Sequence, residues 1–192
     1  MVGNASNYSK YDILRCFLRL EKNTSRKELA SELNLGEGTV RSILGILKSN
    51  KLIGSGNKGH LLSNKGKNVM KSILKSISCP KSIKINEIYP GLIKIGIVAR
   101  QAGKLNKPYK LRDIAVRNGA EGAIILKYGN NLYIPDSNYE FDYSALEKNF
   151  NLKKGDALIA ALSSGTPTAE KGALAIAAEI VAGLQKFIKE AS

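Results

Sequence analysis

Seven side chains between positions 37 and 60 have the types and spacing for nucleic-acid recognition. Arg41 can donate a bidentate pair to guanine O6 and N7, and Thr39 and Ser42 can touch base edges or phosphate. Lys48, Lys58 and His60 can meet phosphate oxygens, whereas Glu37 repels them unless it accepts from cytosine N4. The competing view is that Arg41 and Lys48 are ordinary solvated helix residues. What raises recognition above it is the company Arg41 keeps: Gly38, Ser42, Gly45 and Ser49 share its side, a surface small enough to enter a groove closely.

The elements that position these groups follow from residues 25–50. Ser25 and Glu28 fit the S-x-x-E capping box, so a helix starts there and runs through Leu29, Ala30 and Leu33. Asn34-Leu35-Gly36 breaks it. Val40, Ile43, Leu44 and Leu47 then recur at i, i+3, i+4, i+7 and place an apolar stripe on a second helix, opposite Arg41. Helix, short turn and helix make the pattern whose second helix lies in the DNA major groove. Upstream, Tyr11, Ile13, Leu14, Phe17, Leu18 and Leu20 predict a first amphipathic helix. Downstream, Leu52-Ile53 and His60-Leu61-Leu62 bracket a glycine-rich turn, which predicts a β-hairpin. The following LLSNKGKNVMKSIL resembles the S/T-x-x-G and helix that follow the wing of many bacterial and archaeal winged-helix regulators. That resemblance covers roughly residues 9–77.

Charge supports the same partner. The chain has 192 residues and a formal net charge of +14. Residues 1–80 hold fourteen Lys or Arg against five Asp or Glu. Such a surface supplies sequence-independent affinity for phosphate through counterion release. A protein-binding winged helix has no need of that excess.

The second half holds a different set. Ser78-Cys79-Pro80-Lys81-Ser82 reads as a linker, so we expect domains at 9–78 and 83–192. Beyond it, Ile83 and Ile85 alternate with lysines, and strands are predicted at LIKIGIVAR, 123–128, 132–134 and ALIAAL. Helices are predicted around Leu111–Ala115, over 143–150, and as one long closing helix capped by Thr166, with Pro167 in its first turn. This mixed order predicts an α+β sandwich, a mostly antiparallel sheet with helices on one face. Its cations Arg100, Lys104, Lys107, Lys110, Arg112 and Arg117, with the turn at Ser163–Thr166 where Ser164 and Thr166 sit by a helix start, are candidates for a small anionic effector. The alternative is a solvated basic face whose arginines pair with Asp113 or Glu121.

Several classes are set aside. No apolar run reaches the roughly 18 residues of a membrane helix. No signal peptide opens the chain, so a cytoplasmic protein is expected. Cys16, Cys79 and His60 have no metal-ligand spacing, and neither metal nor cofactor is expected. No G-x-S-x-G, paired carboxylates or Cys–His pair suggests an enzyme, and the Ser163–Thr166 turn lacks the phosphate-loop lysine.

RDIAVRNGAEGAIIL, the NNLYIP turn and LKKGDALIAAL followed by EKGALAIAAEI resemble archaeal two-domain proteins that fuse a winged helix to a C-terminal domain of unknown function. The resemblance implies a C-terminal fold similar to the small domain inserted in aspartyl-tRNA synthetases and tRNA amidotransferases. The expectation from the whole sequence is a homodimeric transcriptional regulator that binds double-stranded DNA. Its rivals are an RNA- or tRNA-associated protein, and an enzyme that uses the 163–166 turn with the winged helix as tether.

Overall fold

A computed structural model describes residues 7–57, 59–84, 88–103, 105, 107–137 and 141–191. Lys58, Ile85 and Lys104 lie outside the described residues. The chain divides into two compact units. One runs to Ser72 and takes in the chain from Lys186 onward; the other spans Ile73–Gln185.

In the first unit, α1 (Lys10–Arg19) opens on a capping box in which Ser9 and Asp12 each satisfy the other's backbone amide. The expected box at Ser25 and Glu28 starts α2 (Arg26–Leu33), and Asn34 ends it in the left-handed conformation. After the turn comes α3 (Glu37–Ser49), whose stripe of Val40, Ile43, Leu44 and Leu47 is buried. Cys16 is a core residue, its thiol pushed up to about 12 by burial and therefore unreactive. The last residues of the chain complete this core: Phe187 lies 4.9 Å from Phe17 between ring centroids, and both are buried.

The hairpin forms as β1 (Ile53–Gly56) and β2 (Gly59–Leu62), antiparallel with Ile53 opposite Leu62. His60 ties it to the start of α2 through two backbone bonds with Thr24, at 2.9 and 3.1 Å. Gly59 permits that approach, because at φ 139° a Cβ would lie 2.5 Å from the Thr24 carbonyl oxygen. Then α4 (Asn64–Ser76) begins, and S-x-x-G acquires a physical reason. Ser63 Oγ donates to the Lys51 carbonyl at 2.7 Å and accepts from the Gly66 amide at 3.0 Å. A Cβ on Gly66 would drive into the Leu52 carbonyl oxygen. Gly66→Ala should therefore lower stability by about 1–3 kcal/mol, since backbone rather than a flexible side chain must give way. Urea denaturation checks this, with Gly54→Ala, which adds a methyl in open space, as the control.

The second unit is a five-stranded sheet in the order β3 (Lys81–Ser82), β4 (Ile93–Ala99), β7 (Ala157–Ser163), β5 (Gly122–Tyr128), β6 (Leu132–Tyr133), antiparallel at every pairing. Between β4 and β5 runs α5 (Pro108–Arg117), and α6 (Ser144–Glu147) precedes β7. β7 thus inserts between the two strands that α5 connects. The α+β class holds. Strand alternation gives the sheet two greasy faces. One lies under α5 and α7 (Thr166–Ile180), where Gly172 packs so closely that a Cβ would lie 2.8 Å from that of Ala120 and 3.5 Å from that of Ala161. The other face, with Val98, Leu126 and Leu158, is covered by Ile83, Leu132, Tyr143 and Leu146.

Two expectations about the closing helix fail. It breaks after Ile180, Val181 adopts extended backbone at φ −109° and ψ 105°, and α8 (Ala182–Ala191) starts anew. Two consecutive β-branched residues followed by Gly183 weaken helix propensity there. Nor does Thr166 cap α7: Gly165 holds the cap position, and Thr168 Oγ1 donates to its carbonyl at 2.8 Å.

Candidate nucleic-acid interface

The outward side of α3 is as small as its residues predict. Gly38, Arg41, Ser42, Gly45 and Ser49 are all exposed, and no heavy atom stands within 4 Å of a Cβ added at Gly38 or Gly45. Two features suit this surface to close approach by a partner. Small residues let a backbone approach a groove floor, and a lone guanidinium among them is free to choose its partner. Arg41 has neither ion pair nor hydrogen bond among the described residues. Ser42 Oγ donates back to the Gly38 carbonyl at 3.2 Å, which leaves the hydroxyl an acceptor. Thr39 is half-buried and Lys48 exposed, one near each end of the helix.

Glu37 is not a bare anion. Arg26, the first residue of α2, reaches across the turn and donates to its carboxylate from Nε at 3.1 Å, with a terminal nitrogen at 3.0 Å. The repulsion expected between Glu37 and phosphate is thus largely offset by a residue that sequence reasoning passed over. The available signal was one unassigned cation eleven residues before the acid.

His60, expected to be solvated or to contact phosphate, is only partly open to solvent. Its residue is half-buried and its Nδ1 is buried with no hydrogen-bond partner. Burial, then the charges of Lys48 and Arg26, hold the imidazole below its usual range, so it is neutral at pH 7. Lys48 and Arg26 thus both raise the potential felt at His60.

The anion site expected in the second unit does not assemble. Arg100 donates to the Asp156 carboxylate and to the Asn151 carbonyl, both at 2.6 Å, and so is committed. Asp156 is buried, which opposes ionisation, yet Arg100 and the amides of Gln101 and Lys153 hold its carboxyl below the usual range. At the 163–166 turn the Ser164 amide donates to the Glu121 carboxylate at 2.7 Å, so a built-in acid occupies the place of an anion. Thr166 is exposed in the first turn of α7, and Lys107 is exposed at the start of α5. Arg112 and Arg117 are both exposed, but five residues separate them, about 140° around the helix. They serve different surfaces.

Comparison with known proteins places two family likenesses on the two halves of the chain. Residues 11–68 match the family described as PH0730-like, N-terminal domain, and residues 93–180 match a domain of unknown function, DUF4443. The hypothetical protein PH0730 from Pyrococcus horikoshii OT3 is similar in structure, with a TM-score of 0.82 and 28% sequence identity over 97% of this chain and 100% of that one. No protein of curated function matches. These likenesses agree with the resemblance to archaeal two-domain proteins read from the second half of the sequence. Among the described residues, no helix is long and apolar enough to cross a membrane.

Proposed function

We propose that this protein is a cytoplasmic DNA-binding transcriptional regulator whose first unit is a winged helix. In this reading α3 lies in the major groove, the β1–β2 hairpin is the wing beside it, and the second unit dimerises the chain or senses a small molecule. One observation carries the reading: the exposed side of α3 consists of small residues around an unpartnered Arg41, with its nearby acid already paired. A homodimer would read a pseudo-palindrome with half-sites about one helical turn apart, or a multiple of it. Arg41→Ala should weaken specific duplex binding by about 1–3 kcal/mol and leave non-specific affinity nearly unchanged. The measurement is fluorescence anisotropy on fragments selected from genomic DNA, across a salt series, because phosphate contacts alone mimic binding at low salt. Unchanged specific affinity in that variant refutes the recognition-helix assignment.

RNA as the partner has its own support. On α5 the exposed Tyr109 and Val116 share a side with Arg112, an aromatic and a cation placed as in single-strand binding surfaces. Competition decides between them: tRNA that displaces bound duplex at equal nucleotide concentration favours RNA.

A further inference from the structure

The second unit contains a cavity of about 530 Å³ beside α5 and the end of α7, within the range of small-molecule sites. Part of its wall is apolar, from Leu111 and Ile114 of α5 and Ile180 of α7. The rest is charged with both signs. Lys110 and Arg117 stand seven residues apart with Ile114 between them, so all three share one side of α5. Glu179 comes from the last turn of α7.

None of these three charges has an ion pair among the described residues. Among the described residues, Lys110 Nζ and the Glu179 carboxylate have no hydrogen bond or ion pair. Arg117 makes one long bond, from Nε to the Asp113 carbonyl at 3.4 Å, so its terminal nitrogens remain available. Beside the break at Val181 the Glu179 carbonyl accepts from Gln185 Nε2 at 3.3 Å, which leaves the carboxylate as the negative group that Glu179 offers the pocket. Positive charge from one helix and negative charge from the end of another thus line the same pocket, together with an apolar wall.

A simple anion would satisfy Lys110 and Arg117 but be opposed by Glu179. A simple amine would satisfy Glu179 but be opposed by two cations. A molecule bearing a carboxylate, an ammonium and a hydrocarbon body satisfies all of them, and buries the last against Leu111, Ile114 and Ile180. We infer that this cavity binds an apolar α-amino acid, with its carboxylate on Lys110 and Arg117 and its ammonium on Glu179. The site replaces the dispersed anion site expected from sequence, and it stands whether or not the first unit binds DNA.

The experiment is calorimetric titration of the full chain, without nucleic acid, with L-leucine, L-phenylalanine, 4-methylpentanoate, 3-methylbutylamine and sulfate. L-Leucine or L-phenylalanine should saturate the protein and bind about tenfold more tightly than either single-charge analogue. Glu179→Gln should reduce L-leucine to the affinity of 4-methylpentanoate while the latter holds or improves. Arg117→Gln should weaken L-leucine and leave 3-methylbutylamine unchanged. Both positions are exposed, and thermal melts without ligand establish that the variants fold. The inference is overturned if 4-methylpentanoate binds as tightly as L-leucine, if sulfate displaces L-leucine, or if neither amino acid saturates the protein by about 10 mM, beyond which a contact of this kind is too weak to count as a site.

Discussion

Gly45→Glu should leave the fold intact and abolish most duplex binding. Gly45 lies in α3, exposed, with nothing within 4 Å of an added Cβ, so the longer side chain enters without a clash at its base. Replacement of a mid-helix glycine by a good helix former gains about 0.5–1 kcal/mol of helix propensity. Thermal unfolding should therefore shift upward or stay where it is. Binding should move the other way for two reasons. The longer side chain holds the helix off the groove floor, where Arg41 must reach base edges. Its carboxylate also stands among phosphates: at ~8 Å and an effective dielectric constant near 20, each such repulsion amounts to roughly 2 kcal/mol before salt screening. Affinity should fall about a hundredfold, with Gly45→Ala in between, because a methyl adds little bulk and no charge. Anisotropy titrations at one stated salt concentration, with a melt on each sample, separate lost recognition from lost structure. A Gly45→Glu protein that melts normally and binds duplex like the parent would remove α3 from any groove and the regulator proposal with it.

The features legible in the sequence are those decided within a few residues. The Ser25–Glu28 box needs only its own turn, and the Val40–Leu47 stripe needs only helical periodicity, so both stand in the structure as written in the chain. The β5–β6 hairpin was equally local. The meaning of S-x-x-G was visible only as a resemblance. Its reason, the closeness of Gly66 to the Leu52 carbonyl, depends on a strand and a helix folding back on one another. Charge partners were the least legible. Arg26 finds Glu37 across a turn, Glu121 finds the Ser164 amide 43 positions away, and Arg100 finds Asp156 across 56. Nothing in a one-dimensional pattern distinguishes a committed arginine from a free one, which is why Arg100 and Ser164 entered the anion site and Glu179 did not. The final residues had the same problem. Phe187 reads as one more apolar position on a closing helix, but its ring lies against Phe17, the earliest part of the fold.

The turn that aims α3 depends on a buried arginine, and its removal should have the larger cost to stability. Arg15 in α1 is 1% exposed. It donates to the Asp12 carboxylate at 2.8 Å and to the Leu33 carbonyl, the last residue of α2, at 3.0 Å. The second bond fixes the point at which α2 hands over to Asn34, Leu35 and Gly36 and so sets where α3 begins. Arg15→Met keeps much of the side-chain length and apolar stem but leaves Asp12 as a buried charge without its guanidinium and Leu33 with an unsatisfied carbonyl. Removing one partner of a buried pair typically costs about 3–5 kcal/mol, more than the pair itself contributes. Much of that cost should return in the Asp12→Asn, Arg15→Met double variant, where no charge is stranded and the asparagine can still accept from the Ser9 amide that Asp12 serves at 2.9 Å. Urea denaturation of the parent, both single variants and the double gives the coupling directly. Independent, additive effects would mean that the two side chains are merely adjacent, and that α1 does not hold the turn through them. Strong coupling would establish the Asp12–Arg15 pair, whereas duplex affinity lost in Arg15→Met and not regained in the double variant, which still lacks the bond to Leu33, would mark that bond as the part of α1 that positions α3.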